Sequence, residues 1–248
     1  MLKNFSKEKF DIIIQAGQSN SEGCGFGDAT EPFIPNENIW FLNNDFSISI
    51  ACEQVIENII VNNFSLSFAR EYIEKNKLQY GRKLLIIRAA IGGTGFLDNR
   101  WGMTDDLYLK MIEMIKVALA LNPKNKLVAL LWHQGETDAI LNSTKEIHFN
   151  NLLTLVNSVR STFHCENLPF IAGDFVQQWK MDNIQICVPI IEAIKEVCEN
   201  IGNAQFVETN ELRSNDQMIG NGDTIHFCRE ALNQLGEKYF NAYCEITK

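Results

Sequence analysis

The sequence predicts an α/β fold in which helices cover both faces of a central parallel sheet. Short apolar runs, rich in β-branched residues, alternate with longer segments of helical periodicity along the whole chain, as in sheets whose strands are joined by crossover helices. The runs themselves are almost continuously apolar, which is typical of strands buried on both faces. The length of 248 residues suits one such domain, and we predict a single domain over 1–248.

Six apolar runs are candidate strands. The first follows a polar N-terminal tip and contains three consecutive isoleucines, Ile12, Ile13 and Ile14. β-Branched residues are enriched in strands because they pack well on a pleated surface. The six predicted strands cover residues 10–16, 38–42, 83–88, 126–132, 168–172 and, with a weaker pattern, 204–207.

Between these runs, apolar residues recur at helical spacing. Pro123 follows the second of these segments and indicates its end, because proline cannot continue a helix. The predicted helices cover residues 65–75, 107–121, 145–163, 189–198 and 229–246. Polar stretches predicted as loops cover residues 22–38, 43–63, 174–183 and 210–224. Ligands of such sheets bind at the carboxyl ends of the strands, so loops that follow strands are the first to examine.

Charge and cysteine content exclude several classes of protein. The 22 basic and 31 acidic residues give a net charge of −9, which disfavours nucleic acid and anionic membranes as partners. No run approaches the ~20 apolar residues of a membrane helix. The N-terminus lacks the apolar region of a secretory signal, so we expect a cytoplasmic protein. The seven cysteines form no CxxC pair, which argues against zinc or redox motifs and for free thiols in a reducing compartment.

The first predicted strand leads into a turn that contains a serine flanked by glycine. The turn reads Gly17-Gln18-Ser19-Asn20. A glycine at this point permits unusual backbone angles, and the turn can present a hydroxyl above the sheet edge, surrounded by backbone N–H groups. Ser19 is therefore a candidate nucleophile. The alternative is an ordinary turn or helix-capping serine.

A glycine-rich loop follows the third predicted strand. It contains Gly92, Gly93 and Gly95. The loop lacks the Lys-Ser/Thr of a P-loop and the full dinucleotide-binding pattern, so phosphate binding is disfavoured. A backbone N–H here could stabilise an oxyanion. A plain tight turn is the alternative.

The loop after the fourth predicted strand carries an amide and two titratable groups, in the run His133-Gln134-Gly135-Glu136. The Gln134 side chain could donate to an oxyanion, and Glu136 could orient a neighbouring group. His133 is equally compatible with a structural role in the core. The run is not a zinc-binding HExxH motif, and the four histidines show no metal-ligand spacing.

Asp223 and His226 lie three residues apart just before the last predicted helix. At this spacing the carboxylate can accept from the imidazole Nδ1–H, which leaves Nε2 free as a base. A solvated aspartate and a half-exposed histidine are the alternative. Nucleophile, oxyanion donors and Asp–His base together form the inventory of a serine hydrolase.

Four motifs in this order resemble the SGNH hydrolase superfamily. More narrowly, they resemble its branch of sialate O-acetylesterases and the acetylxylan esterases of carbohydrate esterase family 6. The resemblance spans about residues 10–245. It implies a flavodoxin-like, three-layer α/β/α fold with a central parallel sheet of about five strands, and an esterase that uses neither metal nor cofactor. The motifs are GQSN at 17–20, GGT at 92–94, WHQGE at 132–136 and DTIHF at 223–227.

The resemblance also implies a role for each matched residue. Ser19 is expected to be the nucleophile, His226 the base and Asp223 the acid that orients it. Glu136 matches a carboxylate that supports the same histidine, and its weight relative to Asp223 stays open.

The implied oxyanion hole combines two backbone donors with one side chain. The donors are the N–H groups of Ser19 and Gly93 and the side chain of Gln134, which replaces an asparagine of the wider superfamily. A one-residue ambiguity leaves Gly92 as the alternative to Gly93.

The expected reaction is removal of O-acetyl groups from an acetylated oligosaccharide or a sialic acid, through an acetyl-enzyme. Gln18, Asn20, Thr94 and Trp101 are predicted to contact the substrate, although the aromatic residue is as compatible with the core. The alternatives are an esterase for a small non-carbohydrate ester, a catalytically silent carbohydrate-binding protein and, weakest, a nucleotide-binding flavodoxin-like protein. The sequence leaves the oligomeric state open.

Overall fold

The structure is a computed structural model that describes residues 5–56, 58–216 and 222–248. A 3-10 turn at Phe5–Lys7 precedes the first strand. The strands in chain order are β1 (Phe10–Gly17), β2 (Ile39–Leu42), β3 (Ile48–Ile50), β4 (Gln54–Ile56), β5 (Ile59–Val61), β6 (Lys83–Arg88), β7 (Lys126–His133), β8 (Phe170–Gly173) and β9 (Ala204–Val207).

Helices connect most of the strands and cover the sheet. In the described part of the chain they are α1 (Ser19–Glu22), α2 (Phe64–Glu74), α3 (Asp106–Ala120), α4 (Glu136–Ile140), α5 (Lys145–Thr162), α6 (Gln177–Asp182), α7 (Ile184–Asn200) and α8 (Arg229–Ile246).

Seven of the strands form one sheet in the order β3-β2-β6-β1-β7-β8-β9. All neighbouring pairs are parallel except β2 with β3, which are antiparallel. The predicted α/β fold with a central, mostly parallel sheet between helices is therefore confirmed. The sheet is larger than the five or so strands expected, because the weak sixth run forms edge strand β9 and β3 adds the opposite edge.

Adjacent residues of β7 show that both faces of the sheet are covered. Trp132 packs edge-on against Trp101 on one face. The next residue, His133, contacts Phe64 of α2 and Tyr239 of α8 on the other. Successive strand side chains point to opposite faces, so the uninterrupted apolar runs of the sequence correspond to strands buried on both sides.

All six predicted strands and all five predicted helices are present, with small differences at their ends. The stretch 43–63, predicted as a loop, instead contains β3 and the antiparallel pair β4–β5. Three-residue strands are too short for a recognisable period of two. The stretch 174–183 contains α6, and α7 begins five residues before the predicted start at Pro189, which lies inside the helix. Residues 217–221 of the predicted loop 210–224 lie outside the described residues.

The topology brings three important loops together. Strand β1 lies between β6 and β7, so the loops that follow these three strands meet at the carboxyl edge of the sheet. These are the loops that carry Ser19, Gly93 and Gln134. Within the described ranges, no helix combines the length and apolar character needed to span a membrane.

Candidate active site

Ser19 is presented at the carboxyl end of the central strand. Gly17 has a φ of 127°, a conformation that side-chain-bearing residues rarely adopt, and a Cβ there would overlap the His133 carbonyl. The Gln18 N–H donates to that carbonyl oxygen at 2.9 Å. The turn is thereby fixed against β7. Ser19 is partly exposed, while its neighbours Gln18 and Asn20 are buried.

The structure brings Ser19, His226 and Asp223 into one hydrogen-bonded relay. Ser19 Oγ lies 2.8 Å from His226 Nε2, and His226 Nδ1 lies 2.8 Å from Asp223 Oδ2. A carboxylate at Nδ1 selects the tautomer that carries its proton there, which leaves Nε2 as an acceptor for the serine hydroxyl. The geometry is that of an activated nucleophile.

Asp223 is held in place by further contacts. Its Oδ1 accepts from the His226 backbone N–H at 3.2 Å, and its Oδ2 accepts from Asn215 Nδ2 at 3.2 Å. Burial opposes ionisation of Asp223, but the hydrogen bonds and charge of His226, with help from Asn215, hold the pKa of the carboxyl below its ordinary value. Asp223 therefore remains a carboxylate beside the imidazole.

Contacts of the glycine loop distinguish the N–H groups of Gly92 and Gly93, the two candidate donors that the sequence left open. The Gly92 N–H donates to Glu22 Oε2 at 2.7 Å, so it is already engaged. Gly93 is exposed and has a φ of 68°. Within the described part of the chain, no acceptor is hydrogen-bonded to the N–H of Gly93 or of Ser19. These two N–H groups are the available backbone donors.

Gln134, in the loop after β7, is buried between the loop that carries Ser19 and the glycine loop. Its Nε2 is 2.7 Å from Asp138 Oδ2, 3.3 Å from the Thr94 carbonyl oxygen and 3.4 Å from Gln18 Oε1. Three surrounding acceptors identify this atom as the amide nitrogen. One of its hydrogens is committed to Asp138, and the other faces two longer and weaker contacts.

Glu136 is linked through Asn20 to the backbone around His226. Glu136 Oε1 accepts from Asn20 Nδ2 at 2.7 Å. The same Nδ2 donates to the Ile225 carbonyl oxygen at 3.0 Å, and Asn20 Oδ1 accepts from the Phe227 N–H at 3.0 Å. The Asn20 side chain thus holds the backbone on both sides of His226. Burial raises the pKa of Glu136, although the Asn20 hydrogen bond opposes the shift.

The four residues predicted to contact substrate have internal partners instead. Gln18, Asn20, Thr94 and Trp101 are all at most 2% exposed. Gln18 Oε1 accepts from the Thr137 N–H at 3.2 Å, and Trp101 Nε1 donates to Thr94 Oγ1 at 3.0 Å. Side chains buried with protein partners do not present themselves to a ligand. The structure therefore gives these residues the task of joining the loops around the nucleophile.

His133 belongs to the core. Its ring is fully buried, and burial lowers its pKa to about 3, so it is neutral at ordinary pH. Tyr239 donates its hydroxyl proton to the Trp132 carbonyl oxygen, and its oxygen lies 2.9 Å from His133 Nδ1. These contacts support a structural role for His133 in the core, the alternative that the sequence left open. Among the described residues, no group of three or more His, Cys, Asp or Glu side chains is arranged to hold a metal ion.

Sequence reasoning missed several residues of the site. Asn215 orients Asp223, Glu22 engages the Gly92 N–H, and Asp138 contacts Gln134. Asn215 stands in a polar stretch with no recognisable motif, and Asp138 is separated by about 40 residues from the backbone groups it binds. A contact of this kind leaves no local pattern in a single sequence.

The fold and the arrangement of Ser19, His226 and Asp223 fit an SGNH-type ester hydrolase. The protein family described as "Carbohydrate esterase, sialic acid-specific acetylesterase" matches residues 9–245. The chain belongs to this family, which confirms the resemblance predicted from the four motifs.

Individual relatives are more distant. A stretch of 88 residues is 30% identical to the probable 9-O-acetyl-N-acetylneuraminic acid deacetylase of Escherichia coli (strain K12), covering 33% of this chain and 27% of that protein. The chain thus spans about a quarter of that relative's length.

Solved structures show the same fold at low identity. The crystal structure of NanS superposes with a TM-score of 0.78 at 19% identity, covering 97% of this chain and 98% of the other. The structure of an Arabidopsis thaliana protein superposes with a TM-score of 0.76 at 22% identity, covering 95% of this chain and 98% of the other. The structure of a carbohydrate acetylesterase from Xanthomonas citri superposes with a TM-score of 0.61 at 13% identity, covering 95% of this chain and 56% of the other.

Proposed function

We propose that this protein is a serine esterase that removes O-acetyl groups from a carbohydrate through an acetyl-enzyme intermediate. The observation that carries the proposal is the relay from Ser19 Oγ through His226 to Asp223, with both heavy-atom distances at 2.8 Å. The relay ends at a partly exposed serine at the carboxyl edge of the sheet, where a substrate can reach it.

In the first half of the reaction, Ser19 Oγ forms a bond to the acetyl carbonyl carbon and gives its proton to His226 Nε2. The carbonyl electron pair moves to oxygen, and the resulting oxyanion accepts from the N–H groups of Ser19 and Gly93 and from Gln134. When the carbonyl re-forms, the bond to the sugar oxygen breaks and His226 protonates that oxygen. The products are the free sugar hydroxyl and acetylated Ser19.

Water completes the cycle. It gives a proton to His226 while its oxygen attacks the acetyl carbon, and collapse of the second tetrahedral intermediate releases acetate. The returning proton restores the Ser19 hydroxyl. Asp223 stabilises the imidazolium formed in each half-reaction and remains a carboxylate throughout.

Two substrate classes follow from the comparisons: an O-acetylated sialic acid and an acetylated oligosaccharide. The family description and the name of the partial relative from Escherichia coli support the first. Acetate release from 9-O-acetylated N-acetylneuraminic acid, compared with release from acetylated xylo-oligosaccharides, separates the two.

Substitution of the nucleophile tests the mechanism directly. Ser19→Ala is expected to lower hydrolysis of p-nitrophenyl acetate by about 10⁴-fold or more, because the nucleophile and its covalent intermediate are lost. Ser21→Ala is the matched control: Ser21 lies in the same short helix and donates to the Ala16 carbonyl oxygen inside the protein. It should keep kcat within a few-fold. Unchanged turnover in a folded Ser19→Ala variant would overturn the proposal.

A further inference from the structure

Asp138 is a fully buried carboxylate in α4 that lies behind the proposed oxyanion hole. Its Oδ2 accepts from Gln134 Nε2 at 2.7 Å. Its Oδ1 accepts from the backbone N–H groups of Phe96 and Leu97 at 3.0 and 2.8 Å. One side chain thus joins the glycine loop that carries Gly93 to the glutamine of a different loop.

From these contacts we infer that Asp138 is a positioning residue, which sets the geometry of two of the three oxyanion donors. The inference rests on the proposed function. Asp138 contacts neither Ser19 nor His226 directly, and it acts by holding the loop around Gly93 and the amide of Gln134 in one arrangement.

The packing around Asp138 leaves the loop little freedom. A Cβ on Gly95 would come within 2.9 Å of the Asp138 carboxylate, so only glycine allows the loop to approach so closely. His148 Nδ1 lies 3.5 Å from Asp138 Oδ2, and His148 is also fully buried. The carboxylate is enclosed by groups that fix its own orientation.

Asp138 also decides which way the Gln134 amide points. A carboxylate accepts hydrogen bonds only, so the amide nitrogen must face it. Burial opposes ionisation of Asp138, but the nearby His148 ring and the hydrogen bonds from the Leu97 and Phe96 N–H groups hold its pKa below the ordinary value. The carboxylate therefore keeps this orientation at neutral pH.

Orientation and charge have opposite consequences for catalysis, and this makes the inference testable. A negative charge near a developing oxyanion raises the energy of the transition state. Asp138 can favour the reaction only if ordered donors outweigh that repulsion. Neutralising Asp138 lowers the rate if positioning dominates and raises it if charge dominates.

Asp138→Asn changes the contacts of Oδ2. The contact with Gln134 Nε2, at 2.7 Å, is the shortest of these, and the Phe96 N–H at 3.0 Å and His148 Nδ1 at 3.5 Å also face this oxygen. The new side chain keeps one oxygen for the Phe96 and Leu97 N–H groups, but it places an amide nitrogen opposite the nitrogen of Gln134. We expect the Gln134 amide to reverse or move away. The result should be a loss of about 10- to 100-fold in kcat with little change in KM, because the donors act on charge that develops in the transition state.

Asp98→Asn is the matched control. Asp98 belongs to the same loop and accepts from the Gly95 N–H at 2.8 Å, but it has no contact with Gln134. The kcat of the Asp98→Asn variant should differ from that of the wild type by less than about three-fold. Gln134→Leu removes the side-chain donor and should cost about 10²–10³-fold in kcat.

The double variant separates positioning from a general structural role. If Asp138 acts through Gln134, Asp138→Asn costs little in the Gln134→Leu background, so the two losses are not additive. Fully additive losses, an unchanged kcat or a faster Asp138→Asn enzyme would overturn the inference. Melting temperatures and near-ultraviolet circular dichroism of all variants establish that they are folded.

A reciprocal exchange keeps the test usable if Asp138→Asn alone does not fold. Combining it with Gln134→Glu restores a hydrogen bond of reversed polarity between the two side chains. We expect the melting temperature to recover and kcat to stay as low as in Gln134→Leu, and recovery of kcat would contradict the inference. Ser19→Ala, measured in the same series, tests the proposed function separately, since its result does not depend on Asp138.

Discussion

At the residue scale, Glu136 combines a buried carboxyl group with a position next to the proposed catalytic residues. The side chain is fully buried. One of its oxygens holds Asn20, and Oε2 has no hydrogen-bond partner in the described part of the chain. A buried carboxylate that is only half satisfied destabilises the folded state when it is ionised.

Glu136→Gln should therefore stabilise the protein at neutral pH. Burial raises the folded-state pKa of Glu136, so the penalty is absent below the unfolded-state value of about 4.3 and grows as the pH rises above it. The melting temperature of the variant should exceed that of the wild type at pH 7, and the difference should shrink towards pH 4. Thermal unfolding across this range measures the effect.

The same substitution should lower kcat, because a neutral amide holds the Asn20 amide less strongly than a carboxylate does. Glu166→Gln, at an exposed position, is the control for removal of one negative charge. A Glu136→Gln variant that is less stable than the wild type at pH 7, or whose stability gain grows as the pH falls, would contradict the assignment of a strained buried charge.

At the element scale, the turn from β1 into α1 determines the position of Ser19, the proposed nucleophile. Gly17→Ala should destabilise the protein by about 2–4 kcal/mol or prevent folding, because φ at this position is 127° and the new Cβ would overlap the His133 carbonyl oxygen. Chemical denaturation of the purified variant measures the loss.

Gly81→Ala is the matched control for this glycine. Gly81 also has a positive φ, 75°, but a Cβ there meets nothing within 4 Å. Its cost should be confined to backbone strain, about 1 kcal/mol. Equal losses for the two variants would show that backbone strain, and not contact with β7, makes the turn dependent on glycine.

The elements that the sequence predicted correctly are those whose local pattern reflects burial on both faces. Strand β6 reads as an unbroken apolar run, and its four central residues are all buried. Strands β4 and β5 carried no such signal: they form a two-stranded sheet, and Val55 is 69% exposed. Their apolar residues come in two runs of only two or three, separated by polar residues, which is too short a pattern to predict a strand.

In the candidate site, too, contacts between residues close in sequence could be predicted, and contacts between distant residues could not. Asp223 and His226 lie three residues apart, so their pairing could be predicted from chain geometry. Asn20 holds backbone groups 205 and 207 residues away. Buried polar contacts at such separations depend on the folded arrangement, and a sequence pattern that names Asn20 cannot say what it binds.

At the scale of the whole molecule, the site is supported from beneath by a neutral histidine. His133 ends β7 and contacts α2 and α8 on the face opposite Trp132. Because its pKa is lowered to about 3, the folded protein excludes a proton that the unfolded chain binds below about pH 6.5. Acid should therefore act on the packing beneath the catalytic loops.

The sign of this effect follows from proton linkage. Between about pH 6.5 and 3 the unfolded state binds one more proton at His133 than the folded state does, so the free energy of unfolding falls by about 1.4 kcal/mol for each pH unit of acidification. His133→Asn keeps an N–H near the position of Nδ1 but removes the titrating ring. The variant is expected to be less stable at pH 7, and its deficit should narrow as the pH falls towards 4.

His164→Asn is the control for the loss of a histidine without burial. His164 is exposed and has a φ of 51°, a conformation that asparagine tolerates, so its unfolding free energy should run parallel to that of the wild type over the same range. Denaturant titrations at pH 7, 5.5 and 4 compare the three proteins. A constant difference between wild type and His133→Asn would contradict this assignment, because it would mean that His133 takes up its proton without unfolding.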